Sequence, residues 1–201
     1  INRDECYQLT PYDETLVIDV DYLICNNLLD QCWSLDYDLQ INSESRDLFS
    51  ERSFDEFNYI SDQGPKFYWA TAFFFRKNKE TELFFNLIKD IKINWNYYKL
   101  LYSINSQTYR NDFAFSIAVH MFNGMTNSKF VPNLPLPFLQ HIHGIDDLID
   151  VPDKNSLLFL LDKPNEPGKY LACKTKNTNV HVMNKFALNR LADKIIEVHN
   201  V

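Results

Sequence analysis

Leu16-Val-Ile-Asp-Val-Asp-Tyr-Leu23 is the stretch on which the reading of this chain turns. Thr15 to Val20 is a short apolar run rich in β-branched residues, which predicts a strand buried on both faces. A carboxylate is costly inside a sheet, so Asp19 and Asp21 are expected to leave the sheet edge together and meet something positive there. In open α/β sheets the carboxyl edge of the strands is where ligands bind. Oxygen ligands of this type suit Mg²⁺ or Mn²⁺, ions commonly held by one or two carboxylates plus substrate phosphates. The plainer reading is that one aspartate caps a turn or helix start while the other is solvated.

Working outward, Phe67 to Phe75 reads as a second buried strand that ends at Arg76 and Lys77. Phe84, Leu87, Ile88, Ile91, Trp95 and Tyr98 recur at three or four positions, which predicts one long amphipathic helix from Thr81 to about Tyr102. Asn111 and Asp112 then precede Phe113 to Phe122, apolar nearly all round and closed by Asn123-Gly124, the pattern of a buried, capped helix. Prolines 132, 135 and 137 make 131–144 irregular or extended. Ser156–Leu161, Tyr170–Cys173 and Asn179–Val182 read as short strands, the first two separated by a turn over 163–168. Asn184 is expected to cap a last amphipathic helix through Phe186, Leu191, Ile195 and Val198. The polar, acidic stretch from Leu35 to Asp62 reads as a long loop with at most one short helix. Buried strands mixed with long helices predict an α/β fold, a mixed, mostly parallel sheet flanked by helices.

Composition narrows the function. At 201 residues the chain suits one globular domain. Its four glycines are too dispersed to build a phosphate-cradling loop, which excludes the P-loop and the dinucleotide fingerprint. A formal charge of -7 argues against a broad grip on nucleic acid, which needs clustered Lys and Arg. No apolar run reaches the roughly 18 residues of a membrane helix, and no leader pattern opens the chain, so the expectation is a cytoplasmic protein without membrane contact. Cys6, Cys25, Cys32 and Cys173 lack C-x-x-C spacing, which predicts free thiols.

The segment Pro11 to Ile24, with its Asp19-Val-Asp21, resembles the D-x-D region of nucleotide-sugar glycosyltransferases of the GT-A fold. Tyr68-Trp-Ala-Thr-Ala-Phe-Phe-Phe-Arg-Lys77 is similar to the strand after that motif, where small residues such as Thr71 face the donor sugar. Tyr109-Arg-Asn-Asp-Phe-Ala-Phe-Ser-Ile-Ala-Val-His120 is similar to that fold's acidic helix start. The chain as a whole resembles glycosyltransferase-like proteins of tailed bacteriophages, which would place it in the host cytoplasm. The resemblance covers residues 11 to about 185, and only its D-x-D portion is specific. It implies a single GT-A-like catalytic domain over 1–201 that binds a nucleoside-diphosphate sugar through Mn²⁺ or Mg²⁺ and transfers the sugar to an unknown hydroxyl. A base in DNA is a disfavoured acceptor, given the negative charge. Only 18 residues precede Asp19, whereas the family's base- and ribose-binding strands come before the D-x-D, so the N-terminal nucleotide-binding portion is expected to be missing.

Carried across, the resemblance puts Asp19 and Asp21 at metal and donor, and Asp112 at the sugar or acceptor as the catalytic group. Asp112 also has its own case, because the first turn of a helix favours an anion and fixes its direction, although an ordinary cap reads equally well. Members of the fold often add a histidine from a late strand, which here is His181, and an imidazole suits Mn²⁺ better than Mg²⁺. The rival pair is His141 and His143, which share a face if extended and stand beside Asp146 and Asp147. Lys185 opens the last helix, where a cation is unusual unless it meets a phosphate, and the plainer reading is a solvated lysine. Arg76, Lys77 and Lys79 form a small basic cluster, read as a solvated face with phosphate contact as the alternative.

Two other functions compete. A phosphatase resembling the haloacid dehalogenase group would use Asp19 as nucleophile and Asp21 as acid/base, with Asp146 and Asp147 as its late acidic pair. A non-catalytic carbohydrate- or protein-binding module would use the aromatics Tyr37, Phe54, Phe57 and Tyr59.

Overall fold

The computed structural model describes residues 3–49, 58–62, 64–126 and 131–199. Phe54 and Phe57 lie outside the described residues. The chain divides into two compact units, each assembled from three stretches: 1–18, 29–44 and 55–138 in the first, 19–28, 45–54 and 139–201 in the second.

The first unit is built on a three-stranded sheet in the order β1 (Glu14–Ile18), β5 (Ala72–Arg76), β3 (Leu39–Ile41). Both pairings are antiparallel, with Leu16 opposite Phe74 and Ile41 opposite Phe73. Phe73, Phe74 and Phe75 are wholly buried in the central strand, whereas β1 at the edge is half-buried throughout. The expectation that β1 is buried on both faces is therefore corrected: the β-branched run specified a strand, and the edge position left it partly in contact with solvent.

Helices α2 (Lys79–Ile93) and α4 (Asn111–Phe122), with Tyr7 of the short α1 (Cys6–Leu9) and Trp33, supply the aromatic partners of β5. Phe73 meets Phe115 and Phe75 meets Phe85 at ring-centroid distances of 4.8 Å, and Phe84 packs edge-on to Phe115. Helix α2 starts with a capping box, Asn78 Oδ1 accepting the Thr81 N–H at 2.8 Å and Thr81 Oγ1 accepting the Asn78 N–H at 3.1 Å. The single long helix expected to Tyr102 is instead two, because Asn94 leaves helical geometry and its side-chain amide bonds back to Asp90, after which α3 (Trp95–Leu101) begins. The expected strand Phe67–Phe75 is shortened to β5 because its first N–H groups are captured elsewhere. Tyr68 donates to Ser116 Oγ at 2.7 Å, Trp69 to the Asn42 carbonyl at 2.9 Å and Ala70 to Asp112 Oδ1 at 3.0 Å.

The second unit holds a four-stranded sheet in the order β2 (Tyr22–Leu23), β10 (Val180–Val182), β6 (Leu139–Ile142), β4 (Ser45–Asp47). Strands β10 and β2 are antiparallel, while β10/β6 and β6/β4 are parallel. A separate antiparallel meander follows, β7 (Asp147–Asp153), β8 (Ser156–Asp162) and β9 (Tyr170–Lys176). Helix α5 (Lys185–His199) packs Ala187, Leu188, Leu191, Ile195 and Val198 against a core of Ile142, Leu148, Val151, Leu157, Phe159, Leu161, Val180 and Val182.

The class is mixed α/β with helices packed on sheets. The mostly parallel single sheet is corrected to three sheets in which antiparallel pairing prevails. An apolar run reports burial and says nothing about the direction of neighbouring strands. The loop expected over 35–62 contains β3 and β4, too short to show a period, and β7 went unread because Pro152 and its acidic residues mask it. Proline is tolerated there because β7 is an edge strand. All four cysteines are free thiols. No helix among the described residues is long and apolar enough to cross a membrane.

Candidate metal centre

After β1 the chain turns sharply, with the Tyr22 N–H donating to the Asp19 carbonyl at 3.0 Å and Val20 at the turn's exposed tip. Asp19 and Asp21 flank that tip, on either side of a residue that points into solvent. The Asp21 carbonyl accepts the Val182 N–H at 2.8 Å, which anchors the turn to β10. In the ladder His181 stands opposite Tyr22, one position beyond Asp21. His181 Nε2 lies 3.1 Å from Asp21 Oδ2 and 3.9 Å from Asp19 Oδ2. One donor atom from each of the three residues falls within 4.8 Å of the others, and among the described residues this is the one such group of three or more His, Cys, Asp or Glu side chains.

Donors about 2.1 Å from a metal ion stand about 3 Å apart when adjacent and about 4.2 Å apart when opposite. The 3.1 Å separation of His181 from Asp21 matches adjacent ligands of one ion, and the 3.9 Å separation from Asp19 falls between the two spacings. Two carboxylates and an imidazole form a mixed O/N set that suits Mn²⁺ better than Mg²⁺. For that role Nε2 of His181 must be the unprotonated ring nitrogen.

Lys185 completes the cluster. Its Nζ pairs with Asp21 Oδ2, the oxygen that also faces His181. It is the first residue of α5, placed by Asn184, whose Oδ1 accepts the Ala187 N–H at 3.1 Å and whose Nδ2 donates to the Asp146 carbonyl at 2.8 Å. The four residues Asp19, Asp21, His181 and Lys185 are thus brought together within the second unit. The sequence reading did not find the asparagines that hold the register. Asn179 Oδ1 accepts the Cys25 and Asn26 N–H groups at 2.8 and 3.0 Å, and Asn155 Nδ2 donates to the Cys25 carbonyl at 2.7 Å. The Asn179 bonds tie the chain after β2 to the approach of β10, which keeps Asp21 beside His181, and the Asn155 bond ties it to the turn between β7 and β8. Nothing distinguishes such residues from ordinary loop asparagines until their partners are known.

Thr71 and Asp112 belong to the first unit. Thr71 is buried in the turn before β5. The Asp112 carboxylate takes three donors: the Ala70 N–H, and Arg110 Nε and Nη2 at 3.2 and 2.8 Å. It fixes the segment that carries Thr71 against the start of α4. The helix-capping residue itself is Arg110. Of the basic cluster, Arg76 pairs with Glu14 at 2.6 Å and Lys77 Nζ donates to the Thr10 carbonyl at 2.7 Å, so both serve the first unit's own structure.

The rival histidines do not converge. Strand β6 ends at Ile142, so the alternation that would align them stops between the two. His141 is buried with Nδ1 2.7 Å from Ser45 Oγ, whereas His143 is exposed. Asp146, fully buried, accepts the N–H groups of His143 and Asp162 at 2.8 and 2.9 Å, and Asp147 pairs with Arg190 at 2.8 Å.

No protein-family model, no curated protein and no solved structure matches the chain.

Proposed function

We propose that the protein is a metal-dependent glycosyltransferase that moves a sugar from a nucleoside-diphosphate donor to a hydroxyl acceptor, with Asp19, Asp21 and His181 as metal ligands. The observation that carries this reading is the convergence of the D-x-D turn with His181 and Lys185, residues some 160 positions away in the chain. A bound divalent ion in such a site neutralises charge on a departing diphosphate. Asp19 and Asp21 would hold the ion at the end of the turn. Lys185 offers an ammonium to the phosphate oxygens from an exposed helix start, a site already suited to anions. Thr71 and Asp112 are assigned to the donor sugar and acceptor by the resemblance alone. The phosphatase reading has less support, because Asp146 and Asp147 are committed to backbone N–H groups and to Arg190.

The test is calorimetric titration of UDP and then GDP, with and without Mn²⁺. Binding that requires Mn²⁺ and is lost in Asp19→Asn and in Asp21→Asn, with the circular dichroism spectrum unchanged, supports the reading. Binding retained in both variants overturns the site.

A further inference from the structure

Asp21 Oδ2 is shared. It faces His181 Nε2 at 3.1 Å and forms an ion pair with Lys185 Nζ. The two partners differ in freedom. The His181 side chain is 14% exposed and sits in a strand whose neighbours fix it, whereas the Lys185 side chain is 65% exposed on a flexible four-carbon stem. The Asp21 side chain, 5% exposed, is the fixed point around which both are arranged. A divalent cation held between His181 Nε2 and Asp21 Oδ2 shares the oxygen that Lys185 engages, and it repels an ammonium paired there. Lys185 can leave, because its stem reaches solvent and the Asn184 cap, which takes the Ala187 N–H, holds the helix start without using the Lys185 side chain.

We infer that Lys185 is a built-in competitor for the metal, which releases Asp21 when the ion binds and turns its ammonium to the anionic group that follows. This rests on the metal-site reading above and adds a consequence to it. The ion alone must displace an ion pair, whereas the ion together with a diphosphate gives the displaced ammonium a new partner. Metal and diphosphate therefore bind with positive coupling, and by linkage each raises the other's affinity by the same factor. Lys185 is a positioning residue that sets this coupling, so its removal has opposite effects on the two ligands.

The deciding measurement is the affinity for Mn²⁺ alone, read from the electron paramagnetic resonance signal of free Mn²⁺, in the unaltered protein and in Lys185→Gln. Lys185→Gln is expected to bind Mn²⁺ about three- to ten-fold more tightly, the worth of one partly exposed charge-assisted pair. UDP is expected to bind the Mn²⁺-loaded variant more weakly than the Mn²⁺-loaded unaltered protein, and Lys185→Arg is expected to restore both values toward the original. Equal or weaker Mn²⁺ binding by Lys185→Gln overturns the inference while leaving the metal site standing. No Mn²⁺ binding by either protein removes the metal site, and the inference falls with it.

Discussion

Asp19 and Asp21 are the same amino acid two positions apart, and the fold gives them different work. The Asp21 side chain is buried between His181 and Lys185, whereas that of Asp19 keeps 26% of its surface in solvent. Asp21 thus fixes the geometry and Asp19 completes it. The same dependence on surroundings governs groups that do no chemistry. Burial, reinforced by the charge of Asp153, pushes the Cys25 thiol from its ordinary 9.0 to about 11, and burial does the same for Cys32. Burial and a hydrogen bond to Asp90 raise the Tyr98 hydroxyl to about 12. Between pH 9 and pH 11 the unfolded chain gives up thiol protons that the folded chain keeps, so the stability these thiols contribute is full below pH 9 and is lost as pH rises through about 11. Urea unfolding followed over that range is expected to show a falling free energy, with a contribution of up to about 2 kcal/mol from each thiol, and Cys25→Ala is expected to flatten the slope. A slope unchanged in Cys25→Ala counts against the burial assignment.

Among the elements, helix starts carry the most information. Asn184 begins α5 where the sequence places its cap, whereas the Asn78–Thr81 capping box starts α2 two residues before the expected Thr81, and α4 starts after Arg110 with no side-chain cap from Asn111 or Asp112. Periodicity failed at Asn94, because the hydrophobic face continues across the junction while the backbone does not: a competing side-chain bond to Asp90 ends α2 without interrupting the stripe. Strands were less legible. Residues 68–70 have the composition of a strand but give their N–H groups to Ser116, Asn42 and Asp112, partners that no local pattern announces. Asn184 links element to site, since it caps α5, holds the Asp146 carbonyl and directly precedes Lys185. Asn184→Ala is expected to cost about 1–2 kcal/mol in urea unfolding. A change near zero would mean that the cap does not hold the start of α5.

In the whole molecule, the second unit contains all three proposed metal ligands and Lys185, drawn from stretches at opposite ends of the chain. An ion bound there would stabilise the folded state by mass action, by about 2.7 kcal/mol at a hundred times its dissociation constant. Hydrogen exchange with saturating Mn²⁺ is expected to slow at the Tyr22 and Val182 amides, whose bonds to Asp19 and Asp21 hold the turn, and chelation is expected to restore the original rates. Unchanged exchange at both amides would refute a metal centre at this turn.

The sequence by itself determined the acidic pair at the end of β1, the existence of an aromatic strand and of the helices that pack on it, the Asn184 cap and the late His181 to Lys185 segment, because each is written in neighbouring residues through apolar period, cap chemistry and the cost of burying charge. Tertiary structure alone decided the rest. Strand direction, the half-buried edge position of β1 and the division into two units depend on which distant strands meet, and burial patterns do not encode that. It also decided between the histidine candidates: Tyr22 opposite His181 brings the imidazole to the aspartates, while the end of β6 at Ile142 separates His141 from His143. The choice lay in backbone register across some 160 residues, a quantity fixed by packing and long-range hydrogen bonds and by no local pattern.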